Sequence, residues 1–377
     1  MTSPSPGESP SVPPCPRARP EVETLTAYSA PLEGRRGLLR LDFNENTVGP
    51  SPRVVEAIRA IPADHYAIYP EYDGLREAVV RSLGGGGLTP AHVGVFNGVD
   101  AAIHAAFQAF GSPGDRLLTT SPTFGYYTPC ARMQGMAIEA IPYQLPDFGF
   151  PLAAVRAALE APEAAAGAPR ILLICNPNNP TGTRLAPGRI LELAAAAPDT
   201  LVVVDELYEA FTGDSVLPVV DFAAAPNLLV LRSLAKTAGL AGLRIGFAIG
   251  APALVERVGR VCGPYDVNSF AVTAAHAALA DQAYVDAYVA EVLRARDRLL
   301  SQLRQAGVRH HAAGGNYLLL WPHRSAEAVE ADLRQAGILV RSMAGKPLID
   351  GSLRVSLGTG EQMDRFWQAY RRIDGLG

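Results

Sequence analysis

The residues around one lysine suit covalent chemistry. Lys236 follows the apolar run at 228–231 and lies in a small, apolar stretch, SLAKTAGLAGLRIG, that offers few places for a solvated ammonium group. A lysine after a strand is usually a solvated surface residue, but a desolvated lysine has a lowered pKa and can form a Schiff base. Ser233 and Arg244 flank it with a hydroxyl and a guanidinium group that can bind an anion. The stretch therefore indicates a Schiff-base lysine beside an anion site.

Three polar residues follow other apolar runs and suit an aromatic ring that carries a nitrogen and an oxygen. Asp205 ends the run LVVVD; it can simply cap the next segment, but a buried carboxylate needs a partner, and a protonated pyridine nitrogen would serve. Tyr208 lies three residues further on and can reach a ring hydroxyl. Asn179, in NPNNPTG, offers an amide to the same oxygen, although Pro and Asn form turns in any protein.

The start of one helix offers a site for a phosphate. A turn at Asn97-Gly98 precedes the helical stretch 100–110, DAAIHAAFQAF. The first N–H groups of a helix have no partner within the helix, so those of Val99 and Asp100 can bind a phosphate group. Such helix starts are common, and this pattern indicates a phosphate site only in combination with the lysine and its neighbours.

These residues need a scaffold that brings their loops together. Short runs that are apolar throughout alternate with Ala-rich helical stretches, which is typical of a parallel sheet buried on both faces. Strands are predicted at 116–120, 171–175, 201–204, 228–231 and 245–249, with helices such as 152–160 and 188–197 between them. Ligands of these sheets bind beyond the carboxyl ends of the strands, so the four loops should converge at one edge. The pattern predicts an α/β fold.

The C-terminal part of the chain has a different pattern. Helical stretches at 269–280 and 284–305 form a connector, and predicted strands at 317–321, 338–340 and 353–357 are separated by helices. This order indicates a smaller α+β domain. We therefore divide the chain into a Pro/Ser-rich tail (1–20), an N-terminal arm (21–52), a large domain (53–268) and a connecting helix with a small domain (269–377).

Composition argues against several classes of partner. The 377 residues carry a net charge of −4 without a long run of one sign, so nothing points to nucleic acid or to an anionic membrane. No apolar run reaches membrane-spanning length, and the tail lacks the apolar core of a signal peptide, so we expect a disordered tail on a cytoplasmic protein. The four cysteines are scattered and the histidines lack ligand spacing, so neither a disulfide framework nor a metal site is expected.

The chain resembles the fold-type I pyridoxal 5′-phosphate (PLP) enzymes, and among them the aminotransferases that include the histidinol-phosphate aminotransferase family. The resemblance rests on NPNNPTG, then VVVDELY, then a lysine eight residues before the arginine of AKTAGLAGLRIGF. It extends from about residue 28 to the C-terminus. It implies the PLP-dependent transferase fold, with a large domain whose mainly parallel sheet lies between helices and a smaller α+β domain.

The resemblance also implies a role for each residue of the cofactor site. Lys236 would hold the cofactor covalently and move a proton between substrate and cofactor, and Asp205 would pair with the pyridine nitrogen. The other implied contacts are Asn179 and Tyr208 at the ring oxygen, Phe124 in SPTFGYY on the ring face, Val99, Asp100, Ser233 and Arg244 at the phosphate, and Tyr69 in YAIYPEY. Tyr69 would reach the cofactor of the second subunit in a homodimer with shared active sites.

A narrower set of motifs resembles the histidinol-phosphate group. It consists of Asn44-Glu-Asn46 with the following Gly-Pro-Ser-Pro, Tyr28 in LTAYSA, Pro264-Tyr265, and Arg341 thirteen residues before Arg354 in LRVSLGT. By this resemblance, Tyr28, Asn46, Tyr265, Arg341 and Arg354 bind the substrate. The two arginines would hold the phosphate of histidinol phosphate and, in the other half-reaction, the carboxylates of 2-oxoglutarate.

Four positions depart from the family pattern and leave the substrate open. Val99 and Ala235 stand where the family usually has serine, Ala101 where it has glutamate, and Val48 where it has a bulkier or aromatic residue. Each lost hydroxyl costs about 0.5–1.5 kcal/mol if it is not replaced. An aromatic or other amino-acid aminotransferase is the alternative, followed by a lyase similar to phosphothreonine decarboxylase. A regulator with an aminotransferase-like sensor would need a fused DNA-binding domain, and the segment before residue 21 is too short and not basic enough for one.

Overall fold

The computed structural model describes residues 15–27, 33–160 and 167–376. Within these ranges the α-helices are α1 Pro20–Glu23, α2 Pro52–Arg59, α3 Leu75–Ser82, α4 Val99–Phe110, α5 Tyr127–Met133, α6 Leu152–Glu160, α7 Pro187–Ala196, α8 Pro252–Gly259, α9 Ser269–Leu279, α10 Gln282–Gln305, α11 Ala326–Gln335 and α12 Gly360–Ile373. The strands are β1 Leu39–Arg40, β2 Val93–Phe96, β3 Arg116–Ser121, β4 Ala137–Pro142, β5 Ile171–Cys175, β6 Leu201–Asp205, β7 Leu228–Ser233, β8 Gly246–Gly250, β9 Arg309–His311, β10 Tyr317–Trp321, β11 Ile338–Leu339, β12 Arg341–Ser342 and β13 Leu353–Ser356.

Side-chain caps explain where several helices begin. The side chains of Ser51, Asn268 and Ser325 each accept a hydrogen bond from a backbone N–H in the first turn of α2, α9 and α11. Thr359 forms a reciprocal capping box with Gln362 at the start of α12. Each cap satisfies an N–H group that has no partner within the helix, so these helix starts are encoded locally.

The large sheet has seven strands in the order β2-β8-β7-β6-β5-β3-β4. The strands from β7 to β4 are parallel to one another, and β8 is antiparallel to both of its neighbours. The prediction of a mainly parallel sheet is confirmed. Strand β8 is reversed because the segment between β7 and β8 contains only one short 3-10 helix, so the chain returns beside β7 without a crossover helix.

Both faces of this sheet are buried. In β6, Val202 and Val204 belong to one apolar core, and Leu201 and Val203 belong to another on the opposite face. Strands β5 and β7 alternate in the same way. Helices α2, α3, α6, α7 and α9 cover the first face, and α4, α5 and α8 cover the second. This double burial is the reason that these strands are apolar at every position.

The C-terminal part forms a four-stranded antiparallel sheet in the order β12-β13-β10-β9, which packs with α10, α11 and α12 around a third core. The predicted strand at 338–340 is observed as β11, which pairs in parallel with β1 of the arm, and a second short strand, β12, follows it and pairs with β13. Of the predicted tail, residues 1–14 lie outside the described residues, and Arg19 donates a hydrogen bond to the carbonyl of Met133. Among the described helices, none is both long and apolar enough to span a lipid bilayer.

Candidate active site

A cavity lies beyond the carboxyl ends of β5, β6 and β7, where the sequence predicted that the loops converge. It combines the loop after β7 that carries Lys236 (the lysine loop), the start of α4, and the segments that follow β5 and β6. The lining residues are Val99, Asp100, Phe124, Cys175, Asn179, Asp205, Leu207, Tyr208, Ser233, Ala235, Lys236, Ala241 and Arg244. The cavity therefore brings together residues that lie as much as 145 positions apart in the sequence.

Lys236 is a half-buried residue whose amine has few hydrogen-bond partners. Its Nζ donates to the backbone carbonyl of Phe43, in the arm, at 3.0 Å. Burial and, to a smaller extent, the positive charge of Arg354 lower the pKa of Lys236 to about 8. An amine with this pKa is partly neutral near pH 7, which is the form that reacts with a carbonyl group.

Asp205 ends β6 as a buried carboxylate that is held on both oxygens. Tyr127, the first residue of α5, donates its hydroxyl proton to Oδ2 at 2.6 Å, and the backbone N–H of Leu207 donates to Oδ1 at 3.2 Å. Burial raises the pKa of Asp205 to about 6, and these two hydrogen bonds act in the opposite direction. Neither partner carries a charge, so the carboxylate keeps the capacity to pair with a cation in the cavity.

The hydroxyl of Tyr208 receives two amide protons. Asn44 Nδ2 lies 3.1 Å and Asn179 Nδ2 lies 3.4 Å from the Tyr208 oxygen. The orientation of both amides is set by their oxygens, since Asn179 Oδ1 accepts from Arg354 at 2.7 Å and Asn44 Oδ1 accepts from Ser356 at 3.0 Å. With both lone pairs of its oxygen in use, Tyr208 keeps its own proton to donate to an acceptor in the cavity.

The start of α4 and the end of the lysine loop form the other end of the cavity. Gly98 has φ +77°, and a Cβ on it would lie 2.7 Å from Arg244 Nη2, so only glycine lets the guanidinium group approach this helix start. Arg244 donates to Asp100 Oδ2 at 2.7 Å, and Ser233 Oγ accepts from the N–H of Ala235 at 3.0 Å. The free N–H groups of the helix and the guanidinium group suit an anion such as a phosphate.

The two arginines predicted to bind substrate lie opposite each other on adjacent antiparallel strands. Arg341 of β12 is the register partner of Arg354 in β13, so their side chains project from the same face of the small sheet. Arg354 donates to Asn179 Oδ1 and to the carbonyl of Asp42, which connects it to the loop after β5 and to the arm. Arg341 forms no ion pair with any described residue, and its guanidinium carbon lies 6.0 Å from the centre of the Phe43 ring.

Besides Arg341 and Arg354, which do not line the cavity, four other predicted site residues lie outside it or beyond the described residues. Asn46 uses its amide on backbone groups, since it donates to the carbonyl of Thr237 at 2.8 Å and accepts from the N–H groups of residues 48 and 49. Tyr69 and Tyr265 stack on each other with 4.1 Å between ring centres, and 71% and 53% of their surfaces are exposed. Tyr28 lies outside the described residues.

Several residues that the structure places in the site have no role predicted from the sequence. Tyr127 lies three residues after Phe124 in SPTFGYY, and the two rings pack edge to face with 5.4 Å between their centres. Asn44 belongs to the Asn44-Glu-Asn46 motif, but its contact with Tyr208 joins residues 164 positions apart. Cys175 also lines the cavity, and burial raises the pKa of its thiol.

The residues of the cavity fit PLP by the chemistry of their donors and acceptors. Lys236 offers an amine of lowered pKa to the aldehyde, and Asp205 a buried carboxylate to the pyridine nitrogen. Tyr208 offers a hydroxyl proton to the ring oxygen, and the α4 N-terminus with Arg244 offers N–H groups to the phosphate. Phe124, half-buried in the cavity wall, adds an aromatic face. Because positions 99 and 235 carry no hydroxyl, the site lacks two donors, but each group of PLP still has a partner among the residues named above.

Comparison with known proteins gives a consistent result. The family model "Aminotransferase class I and II" matches residues 36–369. Histidinol-phosphate aminotransferase 1 of Bradyrhizobium diazoefficiens is 35% identical, with 94% of this chain and 98% of that protein covered. The structure of Sinorhizobium meliloti histidinol-phosphate aminotransferase in complex with PLP superposes with a TM-score of 0.85 at 24% identity, covering 96% of this chain and 99% of that one. A double mutant of Thermus thermophilus aspartate aminotransferase gives a TM-score of 0.79 at 25% identity, with coverages of 96% and 100%.

Proposed function

This chain belongs to the class I and II aminotransferases and is a PLP-dependent enzyme, and we propose that it transfers the amino group of histidinol phosphate to 2-oxoglutarate. Such a reaction would place it in histidine biosynthesis. The relatives named histidinol-phosphate aminotransferase support this choice of substrate. The observation in the structure that carries it is the pairing of Arg341 with Arg354.

That arginine pair suits an anion with two negative charges. Residues directly opposite on neighbouring antiparallel strands have Cβ atoms about 4.5–5.5 Å apart, so two positive charges there repel each other unless an anion lies between them. A phosphate dianion offers three acceptor oxygens to two guanidinium groups, and the carboxylates of 2-oxoglutarate can use the same donors in turn. A substrate with a single carboxylate needs one arginine only.

The roles proposed for the cofactor residues follow from their protonation states. Bound PLP supplies an electron sink that stabilises the electron pair left when the substrate Cα loses its proton. Lys236 Nζ would take that proton from the substrate Cα and deliver it to the cofactor, because its lowered pKa makes it a base near neutral pH. Asp205 holds the pyridine nitrogen protonated. Tyr208 and Asn179 bind the ring oxygen, and Val99, Asp100, Ser233 and Arg244 bind the phosphate.

We further propose that the arm, residues 21–52, closes the site over the large domain (53–268) and the small domain (269–377). Three consecutive residues of the arm support this role. The carbonyl of Asp42 accepts from Arg354, that of Phe43 accepts from Lys236, and the amide of Asn44 donates to Tyr208. Substrate would meet both domains and the arm at once.

A homodimer with shared active sites is also part of the proposal. Tyr66, Ile68, Tyr69 and Tyr265 form an exposed apolar patch, each with more than half of its surface accessible. Such a patch marks an interaction surface. Tyr69 does not line the cavity of its own chain, and we assign it to the phosphate of the partner's cofactor, with Tyr28 and Tyr265 at the substrate. We place the enzyme in the cytoplasm, which its four free cysteines favour.

The experiment that tests the substrate is a half-reaction screen. The purified holoenzyme is mixed separately with histidinol phosphate, phenylalanine, tyrosine and glutamate, and loss of the absorbance of the cofactor's carbonyl form is followed. We expect histidinol phosphate to react with a kcat/KM above those of the two aromatic amino acids. A preference for phenylalanine would instead assign the enzyme to the aromatic aminotransferases, and release of carbon dioxide from an amino acid would indicate a lyase.

A further inference from the structure

We propose that Tyr127 is a positioning residue that orients the carboxylate of Asp205 toward the pyridine nitrogen of PLP and keeps it ionised. The inference rests on the cofactor assignment and is independent of the substrate. Tyr127 Oη lies 2.6 Å from Asp205 Oδ2, which is a short hydrogen bond even for a carboxylate acceptor. Tyr127 is 1% and Asp205 is 2% exposed, so water does not compete for this bond.

The proton of this hydrogen bond belongs to the tyrosine. Burial raises the pKa of Tyr127 well above its ordinary value, and the negative charge of Asp205 raises it further. Tyr127 therefore acts as a neutral donor. A donor of this kind stabilises the ionised form of a carboxylate and lowers its proton affinity. It opposes the effect of burial, which would otherwise leave Asp205 protonated and unable to pair with a cationic ring.

The two donors to Asp205 also fix its direction. Leu207 N–H holds Oδ1 from the chain that follows β6, and Tyr127 holds Oδ2 from the start of α5. An ionised carboxylate has about four acceptor positions, so two remain for the ring nitrogen. With one oxygen fixed from each side, the carboxylate plane cannot rotate freely about its Cβ–Cγ bond.

The alternative is that Tyr127 is an ordinary core tyrosine whose hydroxyl needed some partner. Tyr143 provides the matched comparison. It is also buried, at 3% exposed, and its hydroxyl accepts from the neutral hydroxyl of Thr120 at 2.8 Å. Replacing either tyrosine by phenylalanine removes one buried hydroxyl, but only Tyr127→Phe removes a donor to a carboxylate.

The test measures how cofactor affinity depends on pH. Full-length apoenzyme is titrated with PLP between about pH 5 and pH 9 in wild type, Tyr127→Phe and Tyr143→Phe. Binding of the protonated ring requires ionised Asp205, so affinity falls as the pH drops through the pKa of Asp205, which is about 6 in the wild type. Without Tyr127 this fall should begin about 1 to 2 pH units higher, while Tyr143→Phe should follow the wild type.

Two further variants test whether the pH shift arises from the hydrogen bond between Tyr127 and Asp205. In an Asp205→Asn background, Tyr127→Phe should cause no shift, because no carboxylate remains to be ionised. A fluorotyrosine at position 127 keeps the size and the hydrogen bond but donates more strongly, so the fall should move to lower pH. A Tyr127→Phe profile that coincides with wild type, or that is weakened equally at every pH, would overturn the proposal. If Tyr127→Phe does not fold, an unchanged profile with fluorotyrosine would overturn it equally.

Discussion

Replacement of Arg341 by alanine is the sharpest test of how the enzyme recognises its substrate. Arg341 lies opposite Arg354, and Arg354 has neutral partners in Asn179 and the Asp42 carbonyl that hold it in place. Removing Arg341 should therefore leave Arg354, the loop after β5 and the arm where they are. The change removes one of the two guanidinium groups that we assign to the substrate phosphate.

The magnitude follows from the number of hydrogen bonds lost and from the repulsion relieved. A hydrogen bond to a charged group contributes roughly 1.5–3 kcal/mol net, so kcat/KM for histidinol phosphate should fall about tenfold to a hundredfold. A single carboxylate can form a bidentate pair with Arg354 alone, so phenylalanine should lose less. Like charges directly opposite on neighbouring strands destabilise a sheet by about 0.2–1 kcal/mol, so the free variant should be slightly more stable than wild type.

The assay compares kcat/KM for histidinol phosphate and phenylalanine, together with urea unfolding of the apoenzyme. Arg309→Ala is the control, because Arg309 lies in the same small sheet with its guanidinium group 4.1 Å from the Trp321 ring, and its loss also removes one positive charge. The control should leave both substrates unaffected. An equal loss for both substrates in Arg341→Ala would refute the assignment of Arg341 to the phosphate, and a loss of stability would indicate a structural role.

Three other predictions can be checked on the same protein. Borohydride reduction of the holoenzyme should fix the phosphopyridoxyl group on Lys236; the sequence has one other lysine, Lys346, and a label there would contradict the assignment. Mixing Lys236→Ala with Tyr69→Ala protein under conditions that exchange subunits should restore some activity, whereas mixed dimers that form but stay inactive would exclude shared sites. Apoenzyme stability should depend on Asp205, since a pKa of about 6 against 3.8 for the free residue means that its ionised form destabilises the fold above pH 6 and has no effect below about pH 4. The free energy of unfolding of Asp205→Asn, measured in denaturant titrations, should therefore exceed that of wild type by up to about 3 kcal/mol at pH 8. Near pH 4 the two values should be equal.

Local pattern was sufficient to predict most of the core and the location of the site. Strands β5, β6 and β7 are buried on both faces, so each is an uninterrupted apolar run whose end was visible in the sequence. Strand β4 was not predicted, because it lies at the edge of the sheet and none of its residues is buried: three are partly buried and three are exposed. The reversed direction of β8 and the division of 338–342 between two sheets depend on neighbours that are distant in the sequence.

The partners of the site residues were harder to predict than the residues themselves. Asp205 was found because it ends a strand, but its donor Tyr127 is 78 positions earlier. Asn46 was assigned to substrate on the strength of its motif, whereas its amide in this structure contacts the backbone of the lysine loop. Hydrogen bonds of this kind depend on packing at distances that neither spacing nor periodicity encodes.

The pairing of β1 with β11 has a consequence for the order in which a growing chain becomes functional. Leu39 precedes its partner Ile338 by 299 residues. At about 5–20 residues per second, a ribosome needs about 15–60 s to make the strand against which the arm pairs. Phe43 and Asn44, which contact Lys236 and Tyr208, follow β1 directly and reach their positions only when that pairing forms. During translation Lys236 thus leaves the ribosome well before Phe43 and Asn44 of the arm reach their positions, and the site is completed among the last events of folding.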